Sequence, residues 1–117
     1  MVKRSYRCSR QAPLVLGVLV LCGVVLGALP ALAASYVVNT LSDNTTAGDG
    51  FCALREAIQS ANNAGNGDCG ANSTGDDTIT FSVSGTIVLS SQLPNIVDAS
   101  TAGKLTIDGS GQNITIS

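Results

Sequence analysis

The chain has no histidine and no tryptophan, and its only aromatic residues are two tyrosines and two phenylalanines. Charged residues make up 12% of it, and beyond Arg10 the only cations are Arg55 and Lys104, set against all eight acids. Each shortage excludes something. Without histidine there is no Ser-His-Asp or Cys-His catalysis, no His-ligated zinc and no His-held haem. Without a cationic stripe there is no footprint for nucleic acid. We identify no catalytic residue, no metal ligand set and no cofactor site from composition.

What is present begins with a leader. Lys3, Arg4, Arg7 and Arg10 precede an uncharged run, and Leu14 to Leu29 is built from Leu, Val, Gly, Ala and Cys alone. The run ends in Ala31-Leu32-Ala33, a small-residue cleavage pattern, so residues 1–33 read as a secretory signal peptide, helical in its apolar part, cut between Ala33 and Ala34. The rival reading is a retained membrane anchor, but the run falls short of the roughly 20 residues that span a bilayer and Pro30 interrupts its extension. Cys8 and Cys22 would leave with the leader. The expected location is therefore secreted or at the cell surface, with membrane contact only through the leader.

Cys52 and Cys69 remain. In an exported chain outside the reducing cytosol, two cysteines suggest one disulfide, with two free thiols as the alternative. Closing that loop is worth about 3 kcal/mol in the chain-entropy account. Two thiolates without histidine cannot complete a zinc site, and the Cys-x-x-Cys spacing of a redox pair is missing.

The rest of the chain divides by period. Ser35 to Leu41 is rich in β-branched residues and reads as a strand, followed by a polar loop to Gly50. Leu54, Ala57, Ile58 and Ala61 then recur at helical spacing, predicting an amphipathic helix over about 53–63, with Arg55, Glu56, Gln59 and Asn62 on its polar side. Ala64-Gly65-Asn66-Gly67 supplies stop residues. From Thr78 the period becomes two: Ile79, Phe81 and Val83 alternate with polar residues, and Ile87, Leu89, Leu105, Ile107, Ile114 and Ile116 continue the pattern.

This last part also repeats itself. Ile79 to Gly85 aligns with Leu105 to Gly111, an offset of 26, and Ile87 aligns with Ile114, an offset of 27. Two folds fit. Ser84-Gly85 and Ser110-Gly111 are either tight turns of antiparallel hairpins or corners of a parallel β-helix whose lap is the offset. The β-helix accounts for the lap length and gives the helix a purpose, since a stack of coils needs a cap at its end.

Cys52-Ala53-Leu54-Arg55-Glu56-Ala57-Ile58, with Asp49-Gly50 before it and Asp77-Thr78-Ile79-Thr80-Phe81 after it, resembles the CSLREA domain of exported bacterial proteins. The resemblance covers about residues 36–117 and implies an N-terminal module that leads into a right-handed parallel β-helix of surface proteins like the polymorphic outer-membrane proteins. It implies location and architecture, and no catalytic residue carries over. The motif's second position is usually Ser, and here Ala53 stands in it, so the helix lacks the hydroxyl half of a capping box with Glu56.

The expected organisation is thus a signal peptide (1–33), a cap of strand, loop, helix and disulfide loop (34–77), and the first coils of a mainly β, parallel β-helix (78–117). The expected role is a structural or adhesion-like surface module, not an enzyme. The alternative is the leading end of a carbohydrate-active β-helix enzyme, but Asp98, Asp108 and Lys104 form no partner pattern for that chemistry. Arg55 is expected to ion-pair with Asp49, Asp76 or Asp77. The loop from Asp43 to Asp49 does not make a complete EF-hand, since Ala47 and Leu54 occupy ligand positions, and only a looser calcium site stays open. Asn44, Asn72 and Asn113 begin glycosylation sequons relevant only in a glycosylating host. Partners in view are carbohydrate or surface contacts, and self-association through an open coil end. With under two laps present, the chain is expected to be the front of a longer solenoid.

Overall fold

A computed structural model describes residues 31–97 and 102–117. The apolar leader run, Cys8, Cys22 and Asp98 lie outside the described residues. Among the described residues there are five short strands and one helix: β1 (Ser35–Val38), α1 (Leu54–Ala61), β2 (Asp77–Phe81), β3 (Gly85–Ile87), β4 (Leu105–Ile107) and β5 (Ile114–Ile116).

The strands make two open parallel sheets, one in the order β1-β2-β4 and the other β3-β5. Parallel neighbours need a crossover, and α1 lies in the one between β1 and β2. After β2 the chain passes from the first sheet to the second at β3, returns to the first at β4, and goes back to the second at β5. Ser84–Gly85 is therefore a corner between sheets, and the hairpin reading fails because β2 and β3 do not pair. The register also corrects the repeat: Ile79 pairs with Ile107 and Asp77 with Leu105, while Ile87 pairs with Ile116. The paired residues are 28 and 29 apart, two more than the repeat offsets of 26 and 27. A shift of two keeps every side chain on its face, so the alternating pattern could not distinguish the two registers.

One cluster holds the fold together. Leu54, Ala57, Ile58 and Ala61, the apolar stripe of α1, pack with Tyr36 and Val38 of β1, Ile79 and Phe81 of β2, Ile87 of β3, and Cys52. Burying a side chain such as Leu54 or Ile58 contributes roughly 1.5–3 kcal/mol. An eight-residue helix does not persist alone in water, so this packing is what keeps α1 folded. Away from the helix the cover thins: Ile107 and Ile116, stacked on the buried Ile79 and Ile87, remain 43% and 44% exposed.

The elements are shorter than the sequence pattern suggests. β1 stops at Val38 rather than Leu41, because Asn39 turns its side chain and backbone onto Cys52. The helix spans Leu54–Ala61, and its stop is Asn63 at φ 60°, ahead of the glycines. Asparagine tolerates this left-handed conformation better than most residues. The backbone runs close to itself at Gly103, whose φ is 77° and where a Cβ would run into the Gly75–Asp76 backbone. Among the described residues no helix is long and apolar enough to cross a membrane.

Candidate functional site

The motif segment Cys52 to Ile58 is tied to the rest of the fold by a disulfide, an ion pair and several hydrogen bonds. It opens with a disulfide: Cys52 is bonded to Cys69, with Cα atoms 4.7 Å apart. Asn39 holds the same point from the strand side. Its Oδ1 accepts the Cys52 N–H at 2.7 Å and its own N–H donates to the Cys52 carbonyl at 3.1 Å.

Ala53 is the N-cap, extended in backbone and fully buried, and no side chain caps the helix from that position. The reciprocal half of the capping box is nevertheless made, the Ala53 N–H donating to Glu56 Oε2 at 3.0 Å. The other Glu56 oxygen accepts from the Asn66 side-chain amide at 2.7 Å. Glu56, on the side expected to face solvent, is fully buried, and so is Ser60. The loop between α1 and the disulfide folds back over them, a tertiary cover that helical periodicity does not register.

Arg55 pairs with Asp43, not with Asp49, Asp76 or Asp77. Its Nε donates to Asp43 Oδ1 and its Nη2 to Oδ2, both at 2.8 Å, with the two side chains only 11% and 3% exposed. The guanidinium then donates to the carbonyls of Ser91 at 2.8 Å and Gln92 at 2.7 Å. Asp43 Oδ2 also accepts the Ser90 N–H at 2.7 Å and the Ser90 hydroxyl at 2.8 Å. The Arg55 hydrogen bonds, with those of Ser90, hold the Asp43 carboxyl far below the usual carboxylate range. Two turns along the helix, Asn62 accepts from the Val97 N–H at 3.0 Å and donates to the Asn95 carbonyl at 2.8 Å. The polar side of α1 is thus a strip that binds the returning segment 90–97 by its backbone.

These bonds leave little for a ligand. Both oxygens of Asp43 are committed, Asp49 Oδ1 accepts the Phe51 N–H, Asp68 accepts the Gly48 N–H, and Asp76 accepts the Lys104 N–H. Among the described residues no three His, Cys, Asp or Glu side chains converge as a metal site would require. Asp108 is exposed and its carboxyl lies below its ordinary value because it accepts hydrogen bonds from Ser110. It sits at the corner after β4, a turn-forming position.

Ahead of β1, Ala33 is exposed and Ala34 partly buried beside β2. The Ala34 N–H donates to Asp77 Oδ1 at 2.8 Å and its carbonyl accepts from Thr78 at 3.0 Å. Asp77 is 2% exposed, and Tyr36, also buried, donates its hydroxyl to the Ala71 carbonyl at 2.9 Å. Burial, with Asp77 nearby, pushes the Tyr36 phenol upward. Sequence reasoning placed Arg55 in an ion pair because a lone cation among acids is rarely left unpaired, but it missed Asp43, and it missed the Asp77–Ala34 contact. No local spacing rule links residues that only the fold brings together.

Comparison with known proteins returned no match: no family model, no curated protein and no solved structure matches the chain.

Proposed function

We propose that this chain is an exported N-terminal capping module that starts a right-handed parallel β-helix and serves a structural, adhesion-like role at or outside the cell surface. The observation that carries the reading is the stacking of β4 on β2 and β5 on β3, in parallel and in two separate sheets, with α1 closing the apolar interior on one side. The resemblance of Cys52 to Ile58 to the CSLREA helix motif supports it, as does the use made of that motif: its apolar side is core and its charged residues bind backbone. A disulfide suits an oxidising compartment. The enzyme reading has no observation of its own.

The reading makes Ile107 and Ile116, with the outer edges of β4 and β5 that no strand pairs among the described residues, the end that takes the next coil. Exposed parallel edges with apolar side chains pair with other chains. Sedimentation velocity on the exported protein tests this. The expected result is self-association, reduced by the double substitution Ile107→Lys and Ile116→Lys, which places charge on the open end. A monodisperse wild-type monomer would overturn the open-ended β-helix and favour a closed small domain.

A further inference from the structure

We propose that Asp77 is the buried counter-ion of the α-ammonium group created when the chain is cut between Ala33 and Ala34. The inference rests on the reading of residues 1–33 as a cleaved leader.

Asp77 stands at the start of β2, and only 2% of it is exposed. Its Oδ1 accepts one neutral donor, the Ala34 N–H, at 2.8 Å. Its Oδ2 is buried and has no hydrogen-bond partner among the described residues. A buried carboxylate normally has its lone pairs filled, so a single amide is a poor complement. The nitrogen it does hold belongs to the first residue after the expected cut.

The surroundings favour the same nitrogen. Ala34 is fixed at both backbone groups, by Asp77 and by the Thr78 N–H, one residue before β1 pairs with β2. Immediately before it, Ala31, Leu32 and Ala33 are exposed, Leu32 to 75%. The residues therefore pass from exposed to partly buried at the bond that a signal peptidase would cut. Hydrolysis adds one water: Ala33 leaves as a carboxylate and the Ala34 nitrogen becomes an ammonium. That nitrogen then carries three protons where it had one, and a full positive charge, facing a carboxylate with a free oxygen. Charge-assisted hydrogen bonds of this kind are roughly twice as strong as neutral ones. The Ser73 hydroxyl, which donates to the Leu32 carbonyl in the uncut chain, still accepts the Gly75 N–H afterwards.

Few other charges compete for Asp77. The Tyr36 phenol on β1 is taken by the Ala71 carbonyl. Asp76 accepts the Lys104 N–H, and the exposed Lys104 precedes β4. On α1, Arg55 is held by Asp43, and Glu56 by Ala53 and Asn66. Processing thus tightens the seam between β1 and β2, and the precursor keeps a half-satisfied carboxylate.

The test uses the full chain expressed with its leader, the exported form being recovered for intact-mass measurement and for titration of its amino terminus by pH-dependent reductive methylation. The expected N-terminus is Ala34, with an amine that titrates at least one pH unit above the ordinary value of about 8. Because the folded value is raised, the stabilisation is complete below about pH 8 and is lost as pH rises through the folded amine value. Asp77→Asn should return the amine to its ordinary titration, and a precursor kept intact by Ala33→Leu should lack the alkaline loss. An Ala34 terminus that titrates normally in the wild-type protein overturns the counter-ion assignment while leaving export standing. A different terminus, or a chain that keeps its leader, overturns both. If Asp77→Asn fails to fold, the wild-type titration alone decides.

Discussion

Ala53 is the residue where the helix start is least complete. Its extended backbone and N-cap position leave the N–H groups of the first turn without a side-chain acceptor. Ala53→Ser supplies one, and because Glu56 already makes the return bond, the expected gain is about 1 kcal/mol. Urea denaturation checks it, and a loss of stability would show that the fully buried site has no room for the hydroxyl. Asp43 is the second residue with a measurable signature. Its carboxyl is depressed in the folded state, so it stabilises the fold above the ordinary carboxylate value near pH 4, and that contribution is lost as pH falls below it toward the folded value. Asp43→Ala should cost about 1–2 kcal/mol at neutral pH, since it removes the charge-assisted pair and leaves Arg55 only the Ser91 and Gln92 carbonyls. It should also flatten the acid limb of a stability-against-pH curve. An unchanged acid limb would show that other carboxylates carry it.

Among the elements, α1 depends most on its attachments. One side is core, and the other grips segment 90–97 through Arg55 and Asn62, while the disulfide ties its start to the loop that covers Glu56 and Ser60. Alkylation of the folded, unreduced protein should label neither Cys52 nor Cys69. Reduction should lower stability by about 3 kcal/mol, the loop-closure contribution, with mass spectrometry and thermal melts as the readouts. Quantitative labelling before reduction would rule the bridge out.

Across the whole molecule, protection should follow position in the sheets. β2 has a strand on each side and the helix over it, whereas among the described residues β5 has β3 as its one neighbour. Native-state hydrogen exchange should therefore be slowest for the paired amides of β2 and roughly tenfold or more faster for those of β5. Equal protection of the two would mean that β5 unfolds only with the core.

Periodicity and composition alone determined the main elements here. The stripe of Leu54, Ala57, Ile58 and Ala61 can be buried only as a helix, and the alternation around Ile79 and Phe81 only as a strand. The lone pair of cysteines after the apolar run left one bridge to make. These are local or exhaustive constraints, and they are written in neighbouring residues. The strand register, the partner of Arg55, the burial of Glu56 and the meeting of Ala34 with Asp77 were decided by the tertiary structure. A two-residue slip preserves the apolar face, so pattern could not choose between Leu105 and Ile107 as the partner of Ile79. Any of several acids satisfies a lone arginine equally well on paper, and only the path of the chain between β1 and α1 brings Asp43 within reach.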